Sequence, residues 1–461
     1  MTIPDDTSQP NLIFRNDEPS ALDKLGRAKY AKALSKVALH CETPMAIGLF
    51  GGWGIGKSSL MLQIKKQIER TGKNNALTIW FNPWLHQFDQ NPGLSLIHCM
   101  CSELNLESQV KDLLKVIGCA FGSAFLKRSF NINFSDIQNI KRAIEDEDFL
   151  VRDVHTRLRQ YFKEIIKKAK AKRKNEDTRI VFFIDDLDRC DPNIVLTLLE
   201  YLKLYFNVNG CIYFLGVDKS FLKKSISLRY KETEDIDPSL YLDKIIQLPF
   251  DIPPIAKESI KPYIEDLISP SLKSCVNLLA TGVGDNPRQV KRFINTLQLN
   301  HILAQGIGIE KYSPKILAFF ILVQYMSHQL YLDILKTSDN NNFLDRLTTI
   351  IDNFENQNVK NIFLTLDQSS LKHAKDYIHL TKLTGIDIMD GFVSEYPNSK
   401  IRIKDITKKL RISNKDMLKI LRKLKIKVKS QMGVLTEEEA YQATTYYTQY
   451  GIPTEDDINS Q

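Results

Sequence analysis

Five short apolar runs punctuate the first 250 residues, at positions 45–50, 76–81, 180–184, 211–217 and 245–250. Each is nearly continuous in apolar side chains rather than alternating, which predicts parallel strands covered on both faces. Between them lie segments with apolar residues three and four apart, over 57–70, 148–172 and 193–206, and these predict amphipathic helices. Another helix is expected within 20–42, where Leu22, Leu25, Ala28, Ala31, Leu34, Val37 and Ala38 recur at helical spacing. Strands alternating with helices predict an α/β fold with a parallel sheet flanked by helices. Pro253 and Pro254 mark the exit from the sheet, and from Ala256 to about His379 the pattern is helical. Gly385, Gly391 and Pro397 then set a boundary near 398. The expected organisation is an α/β core at 20–255, a helical lid and helical domain at 256–397, and a small helical module at 398–445.

A chain of 461 residues suits this count at roughly 150 residues per domain. With 43% hydrophobic and 26% charged residues it is not a collagen, a long disordered chain or a disulfide miniprotein. Two apolar runs, 116–126 and 316–326, are 11 residues each, against about 20 for a spanning helix. Both are read as buried helices, with the first also suited to an interface, and no integral membrane segment is expected. The N-terminal residues lack a basic flank followed by an apolar stretch, so no secretory leader is expected. Seven scattered cysteines fit reduced thiols and a cytoplasmic location. Cys99 and Cys101 have no second pair at metal-ligand spacing.

The chemistry begins at Gly51-Gly52-Trp53-Gly54-Ile55-Gly56-Lys57-Ser58-Ser59, which fits the G-x-x-x-x-G-K-[ST] pattern between a predicted strand and a predicted helix. Glycines at 51, 54 and 56 let successive N–H groups curl round a phosphate at a positive helix terminus. Lys57 is expected to reach the β- and γ-phosphates, and Ser58 to ligate Mg²⁺. The fold class is therefore read as a P-loop NTPase core, followed by a helical lid and a basic helical module.

A second acidic segment follows the strand at 180–184: Asp185-Asp186-Leu187-Asp188-Arg189. Carboxylates at the C-terminal end of a parallel strand face the ligand crevice. Asp185 is assigned to Mg²⁺. Asp186 is placed to orient or deprotonate the attacking water, with Asp188 competing for that role. Arg189 is free to pair with either carboxylate or to serve a neighbouring subunit. The two motifs lie about 125 residues apart, which suits a sheet with an extra strand between them. No N-K-x-D follows a late strand, so ATP is expected rather than GTP.

Taken in order, these elements resemble the KAP family of P-loop NTPases over about residues 20–300. Asp23, Leu25, Gly26, Arg27, Tyr30 and Ala31 resemble its N-terminal helix, which implies that Arg27 lies near the nucleotide base. Trp80-Phe81-Asn82-Pro83-Trp84 resembles its F-N-x-W strand end, and Ile184 to Cys190 its acidic strand. Tyr241 to Phe250 resembles its late strand, and Asn286-Pro287-Arg288 through Asn295 its lid-helix motif. Asn286 is suited to cap that helix and Pro287 to its first turn, with Arg288, Lys291 and Arg292 on one face. Arg288 is thus a candidate γ-phosphate sensor. Asp218, after the fourth strand, is either a nucleotide-sensing residue or an ordinary turn Asp. Many family members carry transmembrane helices between the two motifs; this chain has only the run at 116–126.

Charge is concentrated at the other end of the chain. Residues 401–429 hold twelve Lys or Arg against two Asp, a net charge of +10, which leaves the rest of a +8 chain at −2. Ile401, Ile403, Ile406, Leu410, Ile412, Met417, Leu418, Leu421, Leu424, Ile426 and Val428 nevertheless form a core pattern. Ser413 can cap a helix, and Thr436 with Glu439 forms a capping box. The segment resembles the N-terminal module of bacterial translation initiation factor two, which implies contact with nucleic acid or ribonucleoprotein. An acidic protein surface or a merely soluble face are the alternatives.

The expected function is a Mg²⁺-dependent ATPase switch, acting as a homo-oligomer because related nucleotidases complete their sites with a neighbour's cation. The KAP resemblance implies a role in bacterial anti-phage defence. The alternatives are a nucleotide-gated scaffold with negligible hydrolysis and a small-molecule kinase, for which no acceptor signature is found.

Overall fold

The computed structural model describes residues 14–72, 75–89, 92–106, 151–230, 237–309, 312–337, 342–367, 370–383, 401–403, 407, 412–424, 426, 434–435 and 443. The apolar run at 116–126 and the capping box at Thr436 and Glu439 lie outside them. The chain divides into two compact units, Met1–Thr384 and Gly385–Gln461.

The first unit opens with α1 (Ala28–His40), β1 (Met45–Phe50), α2 (Lys57–Thr71), β2 (Ala76–Phe81) and α3 (Pro92–Glu103). It continues through α4 (Val151–Arg173), β3 (Arg179–Ile184), α5 (Pro192–Leu204), β4 (Cys211–Val217), α6 (Lys219–Arg229), α7 (Pro238–Ile245) and β5 (Leu248–Asp251). The strands form one parallel sheet in the order β2-β3-β4-β1-β5. β4 therefore separates the strand that enters the glycine loop from the acidic strand, although it follows both in sequence; β2, the described strand that lies between the two motifs in sequence, is at the edge of the sheet.

Side chains alternate across this sheet although the sequence does not alternate in polarity. Ile180, Phe182 and Ile184 pack with α3, α4 and α5 on one face, while Val181 and Phe183 pack with α1 and α2 on the other. β4 does the same, with Tyr213 and Leu215 on the first face and Ile212 and Phe214 on the second. Phe183 stacks on Phe214 across the strands, with centroids 5.1 Å apart. Each fully buried Phe here is worth roughly 1.5–3 kcal/mol of burial.

Two boundaries differ from the sequence pattern. α1 starts at Ala28 rather than near 20, because Gly26 adopts φ +69° and the Asp23 carboxylate accepts from the N–H groups of Arg27 and Ala28. The apolar pair Ile245-Ile246 ends α7 instead of opening a strand. Asp237 and Pro238 start that helix, and β5 begins at Leu248.

After β5 come α8 (Lys257–Leu267), α9 (Val276–Gly282), α10 (Pro287–Ile307), α11 (Pro314–Met326), α12 (His328–Thr337), α13 (Phe343–Asp352), α14 (Gln357–Leu364) and α15 (Ala374–Leu383). The run at 316–326 lies in α11 and is buried from Ile316 to Tyr325. No helix among the described residues is long and apolar enough to cross a membrane.

In the second unit, β6 (Ile401–Arg402) pairs antiparallel with β7 (Val434–Leu435), and α16 (Asn414–Lys423) lies between them in sequence. Ser413 caps α16 through the Asp416 N–H at 3.1 Å. Ile403, Met417, Ile420, Leu421 and Ala443 form its core. Ile420 was not part of the expected pattern; the others of α16 were. Lys415 and Arg422 are exposed on the same helix.

Candidate nucleotide site

Parallel pairing puts the ends of β1, β2, β3 and β4 at one edge of the sheet. Phe81 is in register with Ile184, Ile184 with Leu215, and Phe50 with Val217. The next residues, Gly51, Asn82, Asp185 and Asp218, thus emerge along one border.

The loop from Gly51 to Gly56 leads into α2 at Lys57. Gly54 and Gly56 stand at φ +80° and +99°, which a side chain would strain. A Cβ on Gly54 would come within 2.6 Å of Asn286 Oδ1 and 2.8 Å of Arg288 Cβ, and one on Gly56 within 2.9 Å of the Arg27 guanidinium. Gly56, at the N-cap, supplies no capping side chain, so the first-turn N–H groups of α2 are left for an anion. Gly52 and Trp53 are at the exposed tip, and the Trp53 carbonyl accepts from Asn286 Nδ2 at 2.8 Å. The start of α10 therefore rests on the loop. Asn286 caps that helix by accepting from the Arg288 and Gln289 N–H groups.

Lys57 is buried with all three ammonium donors used. Nζ lies 3.0 Å from the Gly51 carbonyl, 3.2 Å from that of Gly52 and 2.8 Å from Asp188 Oδ2. The ion pair with Asp188 is buried on both sides. It brings the two motifs into contact across the 131 residues that separate them.

Asp185 is buried, and its Oδ1 has no hydrogen-bond partner. Gly216 leaves room for that atom: a Cβ there would sit 3.1 Å from it. Burial pushes the carboxyl up to about 6, opposed by a hydrogen bond from Ser58 and reinforced by the Asp186 charge. A buried, unpaired carboxylate oxygen beside a serine hydroxyl is the donor set of a hard divalent cation such as Mg²⁺, and the residues fit that ion.

Asp186 takes φ +56°, a left-handed conformation that Asp tolerates. Its Oδ1 lies 3.0 Å from Arg189 Nε and its Oδ2 accepts from Asn82 Nδ2 at 2.9 Å. The Arg189 guanidinium also lies 5.2 Å from the ring centre of Trp84. Sequence reasoning named Asn82 only as part of a motif. Its contact with Asp186 follows from strand register, which the sequence does not display.

Arg27 is buried and spans two carbonyls, those of Ile55 in the loop and of Pro253 beyond β5, the latter at 3.0 Å. Burial lowers its pKa. It braces the loop from behind. Ser59 lies in the first turn of α2 and accepts from the Ser20 N–H at 3.1 Å. Asp218 caps α6, accepting from the Ser220 N–H at 2.7 Å. Arg288 lies against Gly54 at its Cβ, while its Nε is 3.4 Å from Asp17.

The Asp185 environment has a measurable consequence. The fold raises this pKa from 3.8 to about 6, so the folded chain holds the proton more tightly than the unfolded one. The associated stability is complete below about pH 4 and lost as pH rises through about 6. Asp185→Asn is expected to stabilise the metal-free protein by about 3 kcal/mol near neutral pH and by well under about 1 kcal/mol at about pH 4. Thermal melts across pH check this. A pH-independent difference would contradict it.

The family comparison agrees with this geometry. The KAP family P-loop domain matches residues 27–304, more than half of the chain. The N-terminal region of translation initiation factor IF-2 matches 398–449. An uncharacterised protein of Methanocaldococcus jannaschii is 23% identical over 180 residues, 31% of this chain and 91% of the relative. Among solved structures, Cdc6p of Pyrobaculum aerophilum is similar at TM-score 0.39 and 13% identity, covering 80% of this chain and 98% of that one. Domain III of the Thermotoga maritima replication initiation protein DnaA is similar at TM-score 0.31 and 15% identity, covering 66% and 93%. With a glycine loop, an acidic strand and the start of α10 meeting at one sheet edge, and with the family's domain matched from Arg27 through Ala304, the chain belongs to the KAP family of P-loop NTPases.

Proposed function

We propose that this protein is a Mg²⁺-dependent ATPase that works as a conformational switch. The observation that carries the reading is the Lys57–Asp188 pair, 2.8 Å long, beside the unpartnered Asp185 oxygen. The loop N–H groups from Gly51 to Ser59 bind the phosphates of ATP. Lys57 leaves the Gly51 and Gly52 carbonyls for the β- and γ-phosphates. Ser58 and Asp185 would hold Mg²⁺, which supplies charge neutralisation on the phosphates. Asp186 orients and deprotonates the attacking water, and Asp188 keeps Lys57 in place. Arg288, on the lid helix against the loop, reports the γ-phosphate, so its loss on hydrolysis shifts the lid.

The basic segment 401–429 fits a nucleic-acid or ribonucleoprotein partner, with Lys415 and Arg422 exposed on α16. Kinship with phage-exclusion proteins of the KAP family supports a role in bacterial anti-phage defence, in the cytoplasm and as a homo-oligomer. The test is phosphate release with and without Mg²⁺, against single-stranded DNA, double-stranded DNA and RNA at two salt concentrations. Expected is Mg²⁺-dependent release, stimulated severalfold by one polymer and less so at higher salt. Indifference to every polymer would redirect the basic module to an acidic protein.

A second reading is favoured by one contact set. Asn82 and Arg189 both engage Asp186, which describes a carboxylate occupied in the resting state. A nucleotide-gated scaffold with very slow hydrolysis has that property. Single-turnover kinetics separate the two.

A further inference from the structure

The residues before α1 make a strap across the lid helix. The Arg15 N–H donates to Asn295 Oδ1 at 2.9 Å, and Asn295 Nδ2 donates back to the Arg15 carbonyl at 2.7 Å. Lys291 Nζ reaches the carbonyls of Asn16 and Glu18 at 3.0 and 3.3 Å. The Arg15 guanidinium reaches the carbonyl of Asp266 in α8. At its other end, the Ser20 N–H donates to Ser59, in the first turn of α2. One strap thus ties α8 and α10 to the helix that starts in the phosphate loop.

The carboxylate at its centre is Asp17. Its Oδ2 lies 3.4 Å from Arg288 Nε and 3.1 Å from an Arg292 terminal nitrogen. An anionic oxygen between two guanidinium groups offers them what a phosphate oxygen would. Arg288 is the same cation whose Cβ lies against the loop at Gly54.

We propose that Asp17 competes within the chain for the cation that would read the nucleotide's terminal phosphate. The strap holds Arg288 until a triphosphate takes it, and the exchange releases residues 15–20 from α10. This rests on the reading of Arg288 as a γ-phosphate sensor. It adds a regulatory element that couples ATP, and not ADP, to the N-terminal strap.

Two measurements test it on the full chain. In equilibrium titrations, Asp17→Asn is expected to bind a non-hydrolysable ATP analogue about two- to fivefold more tightly, the size of one partly exposed ion pair. ADP affinity should stay within twofold by the same argument, roughly. Asp17→Glu keeps the charge and should match the wild type. In the second measurement, tryptic cleavage after Arg15, located by mass spectrometry, should speed up severalfold in wild-type protein with the ATP analogue and not with ADP. It requires no variant, so it stands even if Asp17→Asn folds poorly.

Unchanged or weaker ATP binding in Asp17→Asn would overturn the competition, because Asp17 would then be neutral or would position Arg288 for the phosphate. Equal cleavage after Arg15 in every nucleotide state would overturn the release. Failure of the folded wild type to bind any nucleotide would instead overturn the ATPase reading, and the strap proposal with it.

Discussion

Lys57→Ala is expected to weaken nucleotide binding by at least about a hundredfold and to destabilise the fold in the same stroke. The two effects have separate origins. Binding is lost because the only ammonium among the described residues of the loop no longer reaches the phosphates. Stability is lost because the substitution strands a buried carboxylate: Asp188 Oδ2 sits 2.8 Å from Lys57 Nζ, with both side chains buried. Removing one partner of such a pair costs about 3–5 kcal/mol, far more than a surface pair. Lys57→Ala with Asp188→Asn should recover most of that stability while leaving binding abolished. Denaturant melts and nucleotide titrations on the single and double variants check both halves. Wild-type affinity in Lys57→Ala would sink the phosphate-loop assignment.

Asp186→Asn should behave in the opposite way, with binding and folding preserved and turnover lost. The backbone at 186 is left-handed, and Asn adopts that conformation as readily as Asp. The replacement is isosteric, and its amide can still meet Asn82 while giving up only the partly exposed pair with Arg189. The expected stability change is within about 1 kcal/mol. The lost group is the one placed to take a proton from water, an effect of about 10²–10⁴-fold on hydrolysis. Single-turnover phosphate release, measured beside nucleotide affinity, gives the two numbers. Normal turnover would transfer the base to Asp188, which would then have to give up Lys57.

The local chemistry of this chain was written in short stretches whose geometry depends on neighbours along the backbone. Strand, glycine loop and helix at 45–71 are contiguous, and the pattern demands only that the backbone curl where glycine permits. Ser413 and Asn286 cap their helices as their types dictate, since a cap contacts N–H groups two or three residues away. The buried character of β3 and β4 was equally readable, because a strand covered on both faces must be apolar at every position. The strand that separates β1 from β3 could not be read from the distance between the motifs, because β4 follows both in sequence.

Partner choice among the charged groups was another matter. Three carboxylates within four residues look alike in the sequence, yet the fold gives Asp185 to a desolvated pocket beside Ser58, Asp186 to Arg189 and Asn82, and Asp188 to Lys57. Strand order and the turn at 186 decide this, and both are set by packing of the whole sheet. Arg27 reads, by resemblance, as a neighbour of the nucleotide base, and only the approach of β5 to the loop makes it a brace between Ile55 and Pro253. Asp17 carried no signal at all; it meets Arg288 because the chain before α1 crosses a helix 271 residues away. Sequence alone determined the apolar patterns, the caps and the glycine loop, which depend on neighbours along the backbone. Tertiary structure decided which charge faces which, because Coulombic pairing and desolvation depend on distances in space that the order of residues does not encode.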